Sequence, residues 1–144
     1  MKQEFTILIA DRNPHVRMFL QREMTAAGYR VRLADTGREV LKRAFQGEPL
    51  DLIILDPDLP DADEAHVLEH LLNRVPALPV VVHTYASEYG DVSMDRDGLF
   101  FVEKRGSSVE RLKQVVHEIL IDSHSQRQKK IERQSGYELE PSNR

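Results

Sequence analysis

Four polar residues close four apolar runs: Asp11 after Phe5–Ala10, Asp56 after Leu52–Leu55, Thr84 after Pro79–Val82 with His83 between, and Lys104 after Leu99–Val102 and Glu103. Short apolar runs bounded by turn residues read as buried strands. In an open α/β sheet the C-terminal ends of the strands form the ligand-binding edge. The sequence therefore predicts two carboxylates, a hydroxyl and an ammonium on one edge. Two carboxylates brought together repel unless a cation stands between them, and an oxygen-seeking divalent ion such as Mg²⁺ suits that role. A central Asp flanked by an acid, a hydroxyl and a lysine meets the needs of phosphoryl transfer to a carboxylate. The Asp is the nucleophile, and the cations offset charge on the moving group. Each residue also has a plainer reading. Asp11 and Asp56 could cap a helix or a turn, Thr84 could be an ordinary strand residue, and Lys104 could lie in solvent.

The elements that must position these residues follow from periodicity. Asn13-Pro14 is a helix start, an N-cap followed by proline at the first helical position. Val16, Phe19, Leu20 and Ala27 continue at helical spacing until Gly28. Tyr29–Leu33 alternates as a half-buried strand does. Thr36-Gly37 opens a second helix, with Val40, Leu41 and Ala44 on one face, ended by Gly47 and Pro49. Val67, Leu68, Leu71 and Leu72 predict a third helix over 65–74, and Val109, Leu112, Val115, Val116, Ile119 and Leu120 a final one. The segment 87–98 has little periodicity, and a short or irregular helix is expected there. Strands separated by helix-length gaps imply an α/β fold, a parallel sheet with helices on both faces.

A chain of 144 residues with 40% apolar content supports one core. The absence of cysteine excludes disulfides, thiolate catalysis and cysteine-ligated metals. No apolar run reaches the length of a membrane span, and no signal-peptide pattern opens the chain, so a cytoplasmic protein is expected. The formal charge of −4 gives no general pull toward nucleic acid. Residues 1–121 read as one domain and 122–144 as a polar extension, partly helical or disordered. A small basic cluster there, Arg127, Lys129, Lys130 and Arg133, reads first as solvated surface.

Read in order, the segments Ile7–Pro14, Ala34–Leu41, Asp51–Asp61, Pro79–Thr84 and Phe101–Lys104 resemble the receiver domain of two-component response regulators. The resemblance covers residues 5 to about 120. It implies a flavodoxin-like, doubly wound, five-stranded parallel sheet of order 2-1-3-4-5. It also implies Asp56 as phosphoacceptor, served by a histidine kinase or phosphotransfer protein. Mg²⁺ would be held by Asp11, Asp56 and the backbone carbonyl of Asp58. Thr84 and Lys104 would meet the phosphoryl group, and Phe101 would be the aromatic switch residue that moves with Thr84. Such motion would reshape the face formed by the fifth strand, the last helix and the helix between the fourth and fifth strands. The implied role is a phosphoacceptor switch rather than an enzyme, signalling to a downstream protein effector. A homodimer is a further partner state, and neither membrane nor direct DNA binding is expected.

Several positions depart from the family pattern. Arg12 stands where a second acid is usual, which lowers the expected metal affinity. Its guanidinium could instead neutralise Asp56, bind phosphate or point into solvent. Tyr85 replaces a small residue, Arg105 follows Lys104 where proline is usual, Glu64 replaces a glycine, and Asp58 adds a carboxylate near the acceptor. Two further readings follow: a degenerate receiver that signals by binding without phosphorylation, and, remotely, a phosphatase using Asp56-Pro57-Asp58 as an Asp-x-Asp nucleophile motif. A flavin-binding protein of the same architecture is disfavoured because no glycine-rich phosphate loop follows the first strand.

Overall fold

A computed structural model of the chain describes residues 4–85, 98–106 and 108–142. Five parallel strands run β1 (Thr6–Ala10), β2 (Arg30–Ala34), β3 (Leu52–Leu55), β4 (Val80–Thr84) and β5 (Leu99–Glu103). They lie in the order β2-β1-β3-β4-β5. The helices are α1 (Pro14–Ala26), α2 (Gly37–Phe45), α3 (Ala62–Ala65), α4 (Val67–Leu72) and α5 (Ser108–Ser142). This is the parallel, doubly wound architecture expected from the run of strands and helices, in the flavodoxin-like order that the receiver resemblance implies.

Strand alternation divides the core into two layers. Ile7, Ile9, Leu52, Ile54, Val81 and Val102 face one side, against Leu20 and Met24 of α1 and Leu112, Val116 and Leu120 of α5. Leu8, Ala10, Ile53, Leu55, Val80, Val82 and Phe101 face the other, against Val40 and Ala44 of α2 and Val67 and Leu71 of α4. Each large aliphatic side chain so buried contributes about 1.5–3 kcal/mol, and the strand ends are fixed in register by it. On α1 the apolar anchor is Met24 rather than Ala27, which is exposed, and Phe19 is partly exposed.

Local signals set the helix ends. Asn13 Oδ1 accepts hydrogen bonds from the His15 and Val16 N–H groups, with Pro14 as the first helical residue. Gly28, at φ +102°, closes α1: its own N–H donates to Thr25 O, and the Tyr29 N–H reaches back to Met24 O. Thr36 Oγ1 caps α2 through the Glu39 N–H at 3.1 Å.

The third helix differs from expectation. It is two short helices, α3 and α4, separated by His66 in the left-handed region at φ 49°, ψ 48°. Just before them, the Asp61 carboxylate accepts the N–H groups of Gly37 and Arg38 at the start of α2. The break at His66 lets the chain start again so that Val67 and Leu71 reach the core. The expected irregular helix at 87–98 lies largely outside the described residues. The final helix extends through the polar residues to Ser142, and no helix among the described residues is long and apolar enough to cross a membrane.

At Gly37, α2 comes close to Asp61 of the loop after β3 and to Val67 of α4. A methyl group there would run into Val67 Cγ2 and Asp61 Oδ1. Gly37→Ala is therefore expected to cost about 1–3 kcal/mol by overpacking, read as a lower urea midpoint. An unchanged midpoint would show that the α2–α4 contact has slack.

Candidate functional site

Three of the candidates stand one residue beyond their strands and are still held by a backbone hydrogen bond to the neighbouring strand. The Asp11 N–H donates to Ala34 O at 3.2 Å, Asp56 N–H to Ala10 O at 2.8 Å, and Lys104 N–H to Thr84 O at 2.6 Å. The side chains of Asp11, Asp56 and Lys104 therefore converge on the C-terminal edge through backbone register.

Asp11 and Asp56 are 1% and 2% exposed. Burying two carboxylates side by side is costly unless a cation is placed with them. Lys104 Nζ lies 2.9 Å from Asp11 Oδ2 and 3.5 Å from Asp56 Oδ2, bridging the pair. Backbone donors take the remaining oxygens: the Asn13 N–H reaches Asp11 Oδ1 and the Asp58 N–H reaches Asp56 Oδ1, both at 2.9 Å. Arg17 donates to the Asp11 carbonyl at 2.6 Å and braces the turn from α1. The Tyr85 ring sits 5.2 Å from Lys104 Nζ, a cation–π contact on the solvent side of the cluster.

Arg12 does not point away from this cluster. Its Nε is 3.7 Å from Asp56 Oδ2, and its backbone N–H is 3.4 Å from the same oxygen. Of the outcomes open in the sequence, the structure shows the guanidinium paired with Asp56. Thr84 is buried at the same edge and tied to Lys104 through the backbone. Phe101 is buried on the α2/α4 face, in register with Val82 of β4. The Asp58 backbone joins the acceptor through its N–H, while its side chain is exposed.

Asp11 and Asp56 offer oxygen donors of the kind Mg²⁺ takes, but both Oδ1 atoms accept backbone N–H groups and both Oδ2 atoms already face a side-chain cation, Lys104 for Asp11 and Lys104 with Arg12 for Asp56. Among the described residues no group of three or more acidic or histidine side chains is poised to hold an ion.

His83 was passed over in the sequence except as the end of a strand. It is 3% exposed, with Nε2 3.3 Å from Ser108 Oγ at the start of α5. Burial pushes its pKa down to about 4, helped by the charge of Lys104 and opposed by Asp56. A polar residue inside an otherwise apolar strand was the available signal.

The chain matches the family model described as "Response regulator receiver domain" over residues 7–117. It belongs to the receiver domain family. Curated relatives include the DNA-binding transcriptional regulator NtrC of a Bradyrhizobium strain, 35% identical over 77 residues, which is 54% of this chain and 16% of that protein. The transcriptional regulatory protein PhoP of Bacillus subtilis is 34% identical over 85 residues, 59% of this chain and 35% of that protein. The matches thus span a minor part of these relatives' length. Among solved structures, the response regulator TrrA of Thermotoga maritima in complex with Mg²⁺–BeF is 27% identical with a TM-score of 0.68, covering 80% of this chain and 98% of that one. TrrA in complex with the histidine kinase ThkA gives 28% identity and the same TM-score of 0.68, over 81% and 98%. The receiver thus shares its fold and family with two-component response regulators.

Two measurements probe the cluster. Lys104→Ala leaves two buried carboxylates facing each other and should cost about 3 kcal/mol at neutral pH, seen in denaturant unfolding; a loss under about 1 kcal/mol would mean that solvent reaches the pair. His83 is neutral when folded, and its folded pKa lies below the unfolded value near 6.5. Its contribution is complete above pH ~6.5 and is lost as pH falls toward ~4, amounting to about 3 kcal/mol. His83→Leu should therefore show a shallower loss of stability than the parent between those pH values. Parallel pH curves would show that His83 titrates normally.

Proposed function

We propose that this receiver is a phosphorylatable switch with Asp56 as the acceptor. The observation that carries the reading is Asp56, nearly fully buried at a strand end and sharing the Lys104 ammonium with Asp11. In the forward step an Asp56 oxygen attacks the phosphorus of a phosphohistidine. The new O–P bond forms as the P–N bond breaks, and the imidazole leaves with the electron pair. Lys104 stands to pair with the phosphoryl oxygens, and Thr84 to donate its hydroxyl hydrogen to one of them. Phe101, packed beside β4, would take up space that Thr84 vacates. In the family pattern Asp11, Asp56 and the Asp58 carbonyl are the set that would hold Mg²⁺; here the Lys104 and Arg12 cations already stand on the two carboxylates.

The partners proposed are a histidine kinase or phosphotransfer protein upstream and a protein effector downstream, in the cytoplasm, with a second copy of the chain as a further partner. Support for the kinase comes from TrrA, which is crystallised with one. On α1, Met18 is 64% and Phe19 39% exposed, and Phe19 lines a cavity together with Tyr85 and Lys104, apolar surface suited to such docking. The domain acts as a phosphoacceptor rather than as a turnover enzyme. A second reading, a receiver that signals by binding alone, is favoured by one observation: Arg12 already pairs with Asp56.

Intact mass after incubation with a small phosphodonor and Mg²⁺ separates these. One phosphoryl group should be gained by the parent and none by Asp56→Asn. No gain with any donor, with partner binding kept, would establish the binding-only reading. Sustained hydrolysis of phosphate esters would instead favour the phosphatase.

A further inference from the structure

Arg12 has no task in the mechanism above, yet it touches the reacting carboxylate. Asp56 Oδ1 is occupied by the Asp58 N–H. Oδ2 faces three nitrogens: Arg12 N at 3.4 Å, Lys104 Nζ at 3.5 Å and Arg12 Nε at 3.7 Å. The Arg12 side chain is 49% exposed and that of Asp56 2%, so the guanidinium arm spans from solvent to the buried acceptor.

Charge at the cluster decides whether a divalent ion is required. The carboxylates of Asp11 and Asp56 are balanced by the cations of Lys104 and Arg12, so the cluster is neutral. An acid at position 12 would leave the cluster with two excess negative charges, which a divalent cation would offset. Phosphorylation replaces the Asp56 carboxylate with a dianion and adds one negative charge. The cluster with Arg12 then carries a single excess negative charge. A cluster with an acid at 12 and a bound divalent ion would carry the same. The guanidinium also presents a planar fork of N–H donors matched to phosphoryl oxygens.

We infer that Arg12 takes the place of the divalent cation, binding the phosphoryl group directly so that Asp56 is phosphorylated and holds its phosphoryl group without a metal. The inference rests on Asp56 being the acceptor. With phosphoramidate as donor, an Asp56 oxygen forms the O–P bond, the P–N bond breaks, and the nitrogen, already protonated as –NH3⁺, departs as ammonia with the bonding pair. Nothing in this balance needs a metal.

The full chain is incubated with phosphoramidate in either EDTA or Mg²⁺ and followed by intact mass, with Asp56→Asn as the blank. The parent should reach a similar phosphorylated fraction in both. Arg12→Ala should slow in EDTA by roughly tenfold or more, Arg12→Lys should recover part of the rate, and Arg12→Asp should require Mg²⁺. Calorimetric titration of the unphosphorylated protein should show saturable Mg²⁺ binding for Arg12→Asp and none for the parent. A parent phosphorylated only with Mg²⁺, or an Arg12→Ala variant as fast as the parent in EDTA, overturns the role of Arg12 and leaves Asp56 as acceptor. No phosphoryl gain by any variant in either buffer removes the acceptor reading, and this inference with it.

Discussion

Two buried carboxylates sharing one ammonium are the constraint on which the rest of the molecule depends. At an effective dielectric constant near 20, unit charges 4 Å apart interact by about 4 kcal/mol. Asp11 and Asp56 therefore stay together because Lys104 is held between them, with Arg12 adding a second cation beside Asp56. Lys104 is in turn fixed by its backbone bond to Thr84, and Asp56 by its bond to Ala10. Sheet register thus becomes site geometry. A slip of one residue in β1, β3 or β5 would send a side chain of the cluster to the opposite face.

Much of this was legible in the sequence because it rests on short-range patterns. Apolar runs placed the strands, and the residues after them placed the edge. The Asn13-Pro14 and Thr36-Gly37 signals located two helix starts that the structure reproduces. What was not legible depended on contacts between distant segments. Nothing in Ala65–Arg74 announces that His66 turns left-handed, because the break serves packing of Val67 and Leu71 on the core. Met24 rather than Ala27 anchors α1, a matter of which helical row faces Ile7 and Ile9. The direction of Arg12 was open, since an arginine at a strand end can reach inward or outward, and only the position of Asp56 on the neighbouring strand decides between them.

His83 and Arg12 show the same trade from two sides. His83 sits deep in the α1/α5 layer and stays neutral because burial and the Lys104 ammonium both oppose its charge. Arg12 reaches from the surface and stays charged beside a carboxylate. The acceptor thereby has both an uncharged imidazole and a guanidinium in its surroundings, and neither changes its charge over the neutral pH range.

The loop from Asp56 to Asp61 is pinned at both ends. Asp56 is bonded to β1 through its N–H, and the Asp61 carboxylate grips the first turn of α2. A segment clamped this way has a stiff spine and little freedom to buckle when the charge on its first residue changes. The longer side chains of the cluster are free of that clamp: the arms of Lys104 and Arg12 and the exposed ring of Tyr85. Motion begun by charge on Asp56 would accordingly travel along β4 through Thr84 and outward along those arms, with the Asp56–Asp61 backbone as its fixed backstop.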